Sequence, residues 1–229
     1  MTCSVVVPAR NEVVAIGDVV RGCLVHASEV IVVDDASSDG TGAVARAAGA
    51  IVVRADVPLG KGAAVRRGIA RARGDVIVLL DGDGQDPPHE VPRLLDAIAR
   101  GADLAIGSRF LGTFEPGAIT TIDRLGNRAL STVFDRLYDV ALTDTQAGFR
   151  ALRRTLLDRL ELRARHYDIE TELLVRALQA GARVVEVPVV RRPRQHGKSG
   201  LRRIPDGLRI LACMLRLRRD GAALQPPSA

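Results

Sequence analysis

"VIVLLDGDGQDPP" (residues 76–88) runs from five apolar residues into three aspartates and a glutamine. A short apolar run bounded by turn residues is read as a strand buried on both faces, the kind that parallel sheets contain. Its ending is the unusual part. Asp81, Asp83 and Asp86 stand close enough to repel one another. Either something positive belongs among them, or the loop is a solvated turn, where Asp and Gly are common. The residues at the ends of the other strands decide between the two.

Working outward, "CSVVVP" (3–8), "EVIVVDD" (29–35), "AIVVRAD" (50–56) and "ADLAIGSR" (102–109) have the same strand character. Between them lie helical patterns over about 12–25, 41–48, 61–73 and 88–100. Strands that alternate with helices predict an α/β fold, a three-layer sandwich with a mostly parallel central sheet. Ligands of such sheets bind beyond the carboxyl ends of the strands. Those ends hold Pro8, Ala9, Asn11 and Glu12; Asp34 and Asp35; Asp56; Asp81, Gly82 and Asp83; and Arg109. Beyond Arg109 the spacing predicts a helical segment near 121–140, then "TDTQAGFRAL", a helix over 169–181, a strand over 183–190 and a basic tail. The expected organisation is one domain over 1–190, in halves of about 1–109 and 110–190, with a tail over 191–229.

With 47% hydrophobic residues the chain has the apolar content of an ordinary globular core. Cys3, Cys23 and Cys213 are odd in number and show no ligand spacing, so reduced, buried thiols in a cytosolic protein are expected. No signal peptide and no membrane-spanning helix is expected, because no apolar run approaches roughly 20 residues. Charge is concentrated at one end. Residues 191–219 carry ten Arg or Lys and one Asp, leaving the rest of the chain slightly acidic. That asymmetry points to phosphates or an anionic surface. Lys61 and Lys198 are the only lysines and both adjoin glycine, as compact charges in tight loops would.

Asp81 and Asp83 flank one glycine, so a single loop can aim both carboxylates at a point. Mg²⁺ and Mn²⁺ favour oxygen donors, and Mg²⁺ commonly takes one or two carboxylates with substrate phosphates and water. Asp86 is expected only to enter a helix with Pro87 and Pro88. Asp34 and Asp35 can accept hydrogen bonds from a base or ribose. A rival exists in Gly40, Gly42 and Ala45, a GxGxxA succeeded by Asp56, loosely a dinucleotide fingerprint. Five residues separate that strand from its first glycine, and the rival leaves "DGDGQD" without a task. "HGKSG" is not a P-loop, since Arg192 stands where glycine is needed. Nucleic acid is not an expected partner, because no binding motif accompanies the basic tail and aromatics are only 3%.

"VVVPARNE", "VVDDASSDGT", "GKGAAVRRGI", "LLDGDGQDPP", "IGSRFL", "RLGNRAL", "TDTQAGFRAL", "IETELL" and "RQHGKSG" occur in that order over about residues 4–200. Together they resemble glycosyltransferase family 2, and within it the polyprenyl-phosphate mannose or glucose synthases. The resemblance implies a GT-A fold and transfer of a hexose, with inversion, from GDP-mannose or UDP-glucose. It implies Asp81, Asp83 and Gln85 as ligands of Mg²⁺ or Mn²⁺. Pro8, Asn11, Glu12, Asp34 and Asp35 match the family's nucleotide pocket; Arg109 and Arg194 match basic residues that face phosphates. Ala9, Gly82 and Lys61 are expected in the same substrate site. One departure concerns Lys198, which stands two positions before the lysine of the relatives' G-x-S-K.

A lipid phosphate acceptor has a second pKa near 6 and is already ionised, so it needs a cationic clamp more than a base. Arg109, Arg194 and Lys198 are the candidates. A sugar hydroxyl acceptor needs a base, and Asp144 is the candidate. Glu170 and Glu172 sit at a helix start, where acids favour the dipole, and are assigned no chemistry. In the tail, Ile204, Leu208, Leu211 and Leu215 share one helical face, with Arg209, Arg216, Arg218 and Arg219 around it. Such a helix either packs on the domain or lies on anionic lipid. The expectation is a cytoplasmic enzyme held peripherally at the cytosolic face of a membrane, with a family 2 enzyme using a soluble or polysaccharide acceptor as the alternative.

Overall fold

Along β1 (Cys3–Ala9), Val5 and Val7 join one apolar cluster and Val6 joins another, so successive side chains feed cores on opposite faces of the sheet. The computed structural model describes residues 1–197 and 200–222. The other expected strands form as β2 (Glu29–Asp34), β3 (Ile51–Arg54), β4 (Val76–Leu79) and β5 (Leu104–Phe114). β6 (Arg150–Arg153) and β7 (Val184–Arg191) complete a seven-stranded sheet in the order β3-β2-β1-β4-β6-β5-β7. Helices α1 (Ile16–Leu24), α2 (Thr41–Ala47) and α4 (Val91–Ala99) cover one face. The other face is covered by α3 (Lys61–Arg71), α5 (Thr121–Tyr138), α6 (Arg154–Leu157), α7 (Ile169–Gln179) and α8 (Arg203–Ala222). The three-layer α/β arrangement is the expected one.

β6 is the element that the periodicity missed. It is four residues long, "RALR", and runs antiparallel to both β4 and β5, with Leu79 opposite Arg150 and Ile106 opposite Arg150. Because it runs backwards, its leading residues lie at the carboxyl edge of its neighbours. Residues 144–149 are thereby delivered to the edge where ligands bind.

Two helix starts differ from expectation. α1 begins at Ile16 rather than near Glu12, because Glu12 N–H donates to Thr41 Oγ1 (2.8 Å) and Val13 N–H to Asp39 Oδ2 (3.2 Å), bonds that hold the segment outside the helix. The pattern over 88–100 divides into a 3₁₀ turn (Pro88–Glu90) and α4, with Pro92 in its first turn.

α8 carries two apolar faces. Ile210, Cys213, Met214 and Leu217 are buried in the core, and Tyr138 Oη and Gln179 Nε2 donate to the carbonyls of Met214 (2.6 Å) and Leu217 (3.0 Å). The stripe picked out by sequence is the other one. Ile204 is 75% exposed, Leu208 63% and Leu215 48%. The helix therefore packs on the domain and still presents an apolar stripe outward.

Candidate active site

The carboxyl edge opens into a cleft of about 930 Å³, ample for a nucleotide sugar. Its floor is built by clasped loops. Asn11 sits at φ +56°, a left-handed conformation that Asn tolerates, and its Oδ1 accepts from Ser38 N–H (2.9 Å) while its own N–H donates to Ser37 Oγ (3.0 Å). Thr41 Oγ1 accepts from Glu12 N–H and donates to Asp39 Oδ1 (2.5 Å). The 37–41 loop thus fixes residues 11–13 in place. Its polar groups are spent on this clasp, and a Cβ on Gly42 would lie 2.5 Å from Asp34 Oδ2. The GxGxxA stretch is a structural brace, not a phosphate cradle.

Asp35 accepts from the N–H groups of Leu59 (2.5 Å) and Gly60 (3.1 Å) and so sets the start of α3. Lys61 comes next. Its Nζ lies 2.8 Å from Asp81 Oδ1 and 2.8 Å from Glu170 Oε1, with the Tyr167 ring beside it. Gly148, delivered by the reversed β6, makes room for this cluster: a Cβ there would lie 3.1 Å from Lys61 Nζ and 3.2 Å from Asp81 Oδ2. Two residues beyond Asp81, Asp83 Oδ1 accepts from Gln85 N–H (3.0 Å) and Asp83 Oδ2 pairs with Arg194 Nη2 (3.1 Å). Arg194 Nη1 also grips both oxygens of Glu12 (2.8 and 3.0 Å). Arg191 pairs with Asp86 (2.6 Å) and donates to Gln85 Oε1 (2.9 Å).

Five carboxylates (Glu12, Asp81, Asp83, Asp86, Glu170) therefore meet three cations (Lys61, Arg191, Arg194). The cluster is short of two positive charges, the charge of one divalent cation. The titration tendencies agree. Burial pushes the Asp83 carboxyl above its ordinary range, with Asp81 and Asp86 adding to the rise and Arg191 opposing it. Burial likewise raises Glu12 against the pull of Arg194. Asp81 would also rise on burial alone, but Lys61 holds it below the usual range. Burial works against the charge on Lys61, and Asp81 with Glu170 more than restores it. Among the described residues no three His, Cys, Asp or Glu side chains converge as a ready-made metal cage. A hard cation here would take Asp81 and Asp83 and complete its shell from substrate oxygens, as Mg²⁺ commonly does. Gln85 Oε1 is engaged by Arg191 and would have to exchange that bond to serve as a third donor.

Pro8, Ala9, Asn11, Glu12, Asp35, Lys61, Asp81, Gly82, Asp83, Gln85, Arg109 and Arg194 all line this one cleft. Two expected residues do not. Asp34 is fully buried, accepting from Ser37 N–H (2.9 Å) and pairing with Arg54 (2.6 Å). It shapes the turn rather than meeting a ligand. Asp144 is also fully buried, and both its oxygens are taken by Arg109: Nε and Nη2 at 2.7 Å, the backbone N–H at 3.0 Å. A carboxylate so saturated is a support for Arg109, not an open base. Lys198 lies outside the described residues.

Sequence reasoning misses four contributors. Glu170 and Asp86 look like ordinary helix-start acids in the sequence, yet one holds Lys61 and the other Arg191. Arg191 merges there with the basic tail. Arg150 carries no motif, yet it is fully buried and donates to the carbonyls of Thr145 (2.6 Å), Ala147 (2.7 Å) and Glu170 (2.7 Å). With no carboxylate in contact, burial pushes its pKa down to about 10. The signal for the first three is charge balance: acids crowded on one strand end need named partners.

Residues 4–161 match the family model described as glycosyl transferase family 2. The polyprenol monophosphomannose synthase of Mycolicibacterium smegmatis is 36% identical over 85% of this chain and 79% of its own length. The undecaprenyl-phosphate mannosyltransferase of Micrococcus luteus is 35% identical over 85% of each. Among solved structures, the glucosyl-3-phosphoglycerate synthase of Mycobacterium tuberculosis, crystallised with Mn²⁺, uridine diphosphate and glucosyl-3-phosphoglycerate, superposes with a TM-score of 0.74. It is 28% identical and covers 95% of this chain and 80% of its own.

Proposed function

The chain belongs to glycosyltransferase family 2 and is a hexosyltransferase of GT-A fold; on that premise we propose that it transfers mannose or glucose, with inversion, from GDP-mannose or UDP-glucose to a polyprenyl phosphate. The reaction depends on a divalent cation and takes place at the cytosolic face of a membrane. The observation that carries the choice of acceptor is the stretch of cleft wall contributed by α5 and α8. There, apart from Asp123, the lining changes from carboxylates to Ile122, Gly126, Leu130, Arg203, Gly207 and Ile210. Arg203 pins the two helices together through Asp123 (2.7 Å). Apolar walls with arginine suit a prenyl chain that ends in a phosphate.

Within the cleft, Asn11, Glu12 and Asp35 bound the nucleotide end, and Asp81, Asp83 and Gln85 face the diphosphate. Asp81 and Asp83 would hold a divalent cation, which would neutralise the leaving diphosphate. Lys61 and Arg194 add fixed positive charge beside it. Arg109, braced by Asp144, orients the acceptor phosphate so that one of its oxygens approaches the anomeric carbon. Because that phosphate is already ionised, no general base is required. A saturated Asp144 suits such an acceptor, from which no proton has to be removed.

Among the described residues no helix is long and apolar enough to cross a membrane. Attachment would then come from the outward stripe of α8 and the exposed Arg202, Arg203, Arg216, Arg218 and Arg219, each basic residue near an anionic surface contributing about 1 kcal/mol. A second reading, transfer to a small phosphorylated acceptor, is favoured by the likeness to glucosyl-3-phosphoglycerate synthase. The two are separated by offering radiolabelled GDP-mannose or UDP-glucose with polyprenyl phosphate or 3-phosphoglycerate. Label in the organic phase supports the lipid acceptor. Label confined to water-soluble product overturns it.

A further inference from the structure

Each of the two aspartates expected to hold a divalent cation is already held by a protein cation. Lys61 sits on Asp81 at 2.8 Å, and Arg194 sits on Asp83 at 3.1 Å. Each of these cations also has a second carboxylate within reach. For Lys61 it is Glu170, at 2.8 Å; for Arg194 it is Glu12, at 2.8 and 3.0 Å. Neither Glu170 nor Glu12 pairs with the other cation. The arrangement is two separate bridges, carboxylate–cation–carboxylate, anchored at one end on the DxD loop and at the other on an independent element: the first turn of α7 for Glu170, the loop after β1 for Glu12.

We propose that Lys61 and Arg194 are stand-in counter-ions for the divalent cation, and that Glu170 and Glu12 are positioning residues that receive them when it binds. The proposal rests on the metal-dependent reading of the site. Burying Asp81 and Asp83 together without a counter-charge is costly, and the two bridges remove that cost when no metal is present. When a divalent cation takes the aspartates, Lys61 and Arg194 keep half of their bonding on Glu170 and Glu12. They stay within a few ångström of the place where a diphosphate lies, instead of being driven out by like charge. Nε of Arg194 is buried without a hydrogen-bond partner among the described residues. It is a donor free to meet a phosphate oxygen as soon as Asp83 is released. The protein thus competes with its own metal in the absence of nucleotide and cooperates with it in the presence of nucleotide.

The signature is opposite shifts in Mn²⁺ affinity, read by electron paramagnetic resonance of free Mn²⁺ without and with UDP or GDP. Without nucleotide, Lys61→Met and Arg194→Met each remove a competitor and tighten Mn²⁺ binding about tenfold. With nucleotide the same variants weaken the ternary complex, because the cation that faces the diphosphate is gone. Glu170→Gln leaves Lys61 with Asp81 alone and weakens Mn²⁺ binding without nucleotide about tenfold. In a Lys61→Met background the same Glu170→Gln change shrinks to about threefold or less, since its effect passes through the lysine; this double-mutant cycle separates the bridge from plain loss of a negative charge. Arg194→Met keeps the test open if Lys61→Met fails to fold. Unchanged or weaker nucleotide-free Mn²⁺ binding in folded Lys61→Met and Arg194→Met overturns the proposal, as does an undiminished Glu170→Gln effect in the double mutant. A wild-type protein that binds Mn²⁺ neither with nor without nucleotide overturns the metal reading and this inference together. Transfer to a water-soluble acceptor would sink the lipid acceptor and leave the metal exchange standing.

Discussion

Replacing Asp144 by Asn keeps the shape of the side chain and removes its charge, which tests whether the residue is a base or a brace. In the structure Asp144 is fully buried, and its partner Arg109 is nearly so, with side-chain exposures of 0% and 13%. Solvent therefore screens the pair little. Breaking a buried pair by neutralising one member costs about 3–5 kcal/mol, because the other charge is left uncompensated. For a domain of this length that amounts to a fall in Tm of about 6–20 °C. Arg109 would lose its fixed orientation, so KM for the acceptor phosphate should rise more than kcat falls. The rate–pH profile should keep its shape, since no proton passes through Asp144. Calorimetry and steady-state kinetics from about pH 6 to 9, the range that brackets the ionised acceptor phosphate, measure all three quantities. An Asp144→Asn enzyme with unchanged Tm, unchanged acceptor KM and a kcat that loses its pH dependence would refute the bracing role and restore Asp144 as the base.

Arg150→Met should be among the most destabilising single changes, since it orphans three buried carbonyls and each costs about 1 kcal/mol or more. Urea unfolding should show a loss of about 3 kcal/mol or more, and a loss below about 1 would contradict the bonding described. The three thiols are buried, and burial pushes Cys3 and Cys213 to about 11 and Cys23 to about 12. Native protein at about pH 8 should resist alkylation that labels all three after unfolding; rapid native labelling would contradict this. Because the folded thiols are raised above the ordinary value of about 8.5, the stability linked to them is intact below that pH and erodes as pH climbs through it towards 11 and 12. Ile204→Asp with Leu208→Asp should abolish sedimentation with vesicles containing phosphatidylglycerol while leaving Tm within about 2 °C, as both side chains are exposed. Undiminished sedimentation would remove the outward stripe of α8 from membrane contact.

The strands whose ends build the site are legible because each is an apolar run closed by polar or glycine residues, a pattern that a doubly covered parallel sheet imposes. β6 is hidden for the converse reason. Four residues, two of them arginines, give no periodicity, and the strand exists because it is wedged between β4 and β5. Missing it conceals how Gly148, Asp144 and Arg150 reach the ligand edge, and leaves Asp144 looking like an open acid in a loop. Glu170 is invisible for a related reason: its partner Lys61 is 109 positions away and meets it only through the fold. α8 is half legible. The stripe from Ile204 to Leu215 stands out by its spacing, but the packing face uses Ile210, Cys213, Met214 and Leu217. Both faces are apolar and flanked by arginines, and only the domain beneath the helix ranks one above the other.

Lipid transfer is tested most directly by counting both products of one turnover mixture. Purified protein, radiolabelled GDP-mannose or UDP-glucose, polyprenyl phosphate vesicles and Mn²⁺ are combined, and nucleoside diphosphate released is compared with label extracted into organic solvent. One donor should give the two in equal amounts, with both lost in Asp83→Ala and on chelation of the metal. Nucleotide released without organic-phase label, or full transfer by Asp83→Ala, would contradict a metal-dependent polyprenyl-phosphate hexosyltransferase.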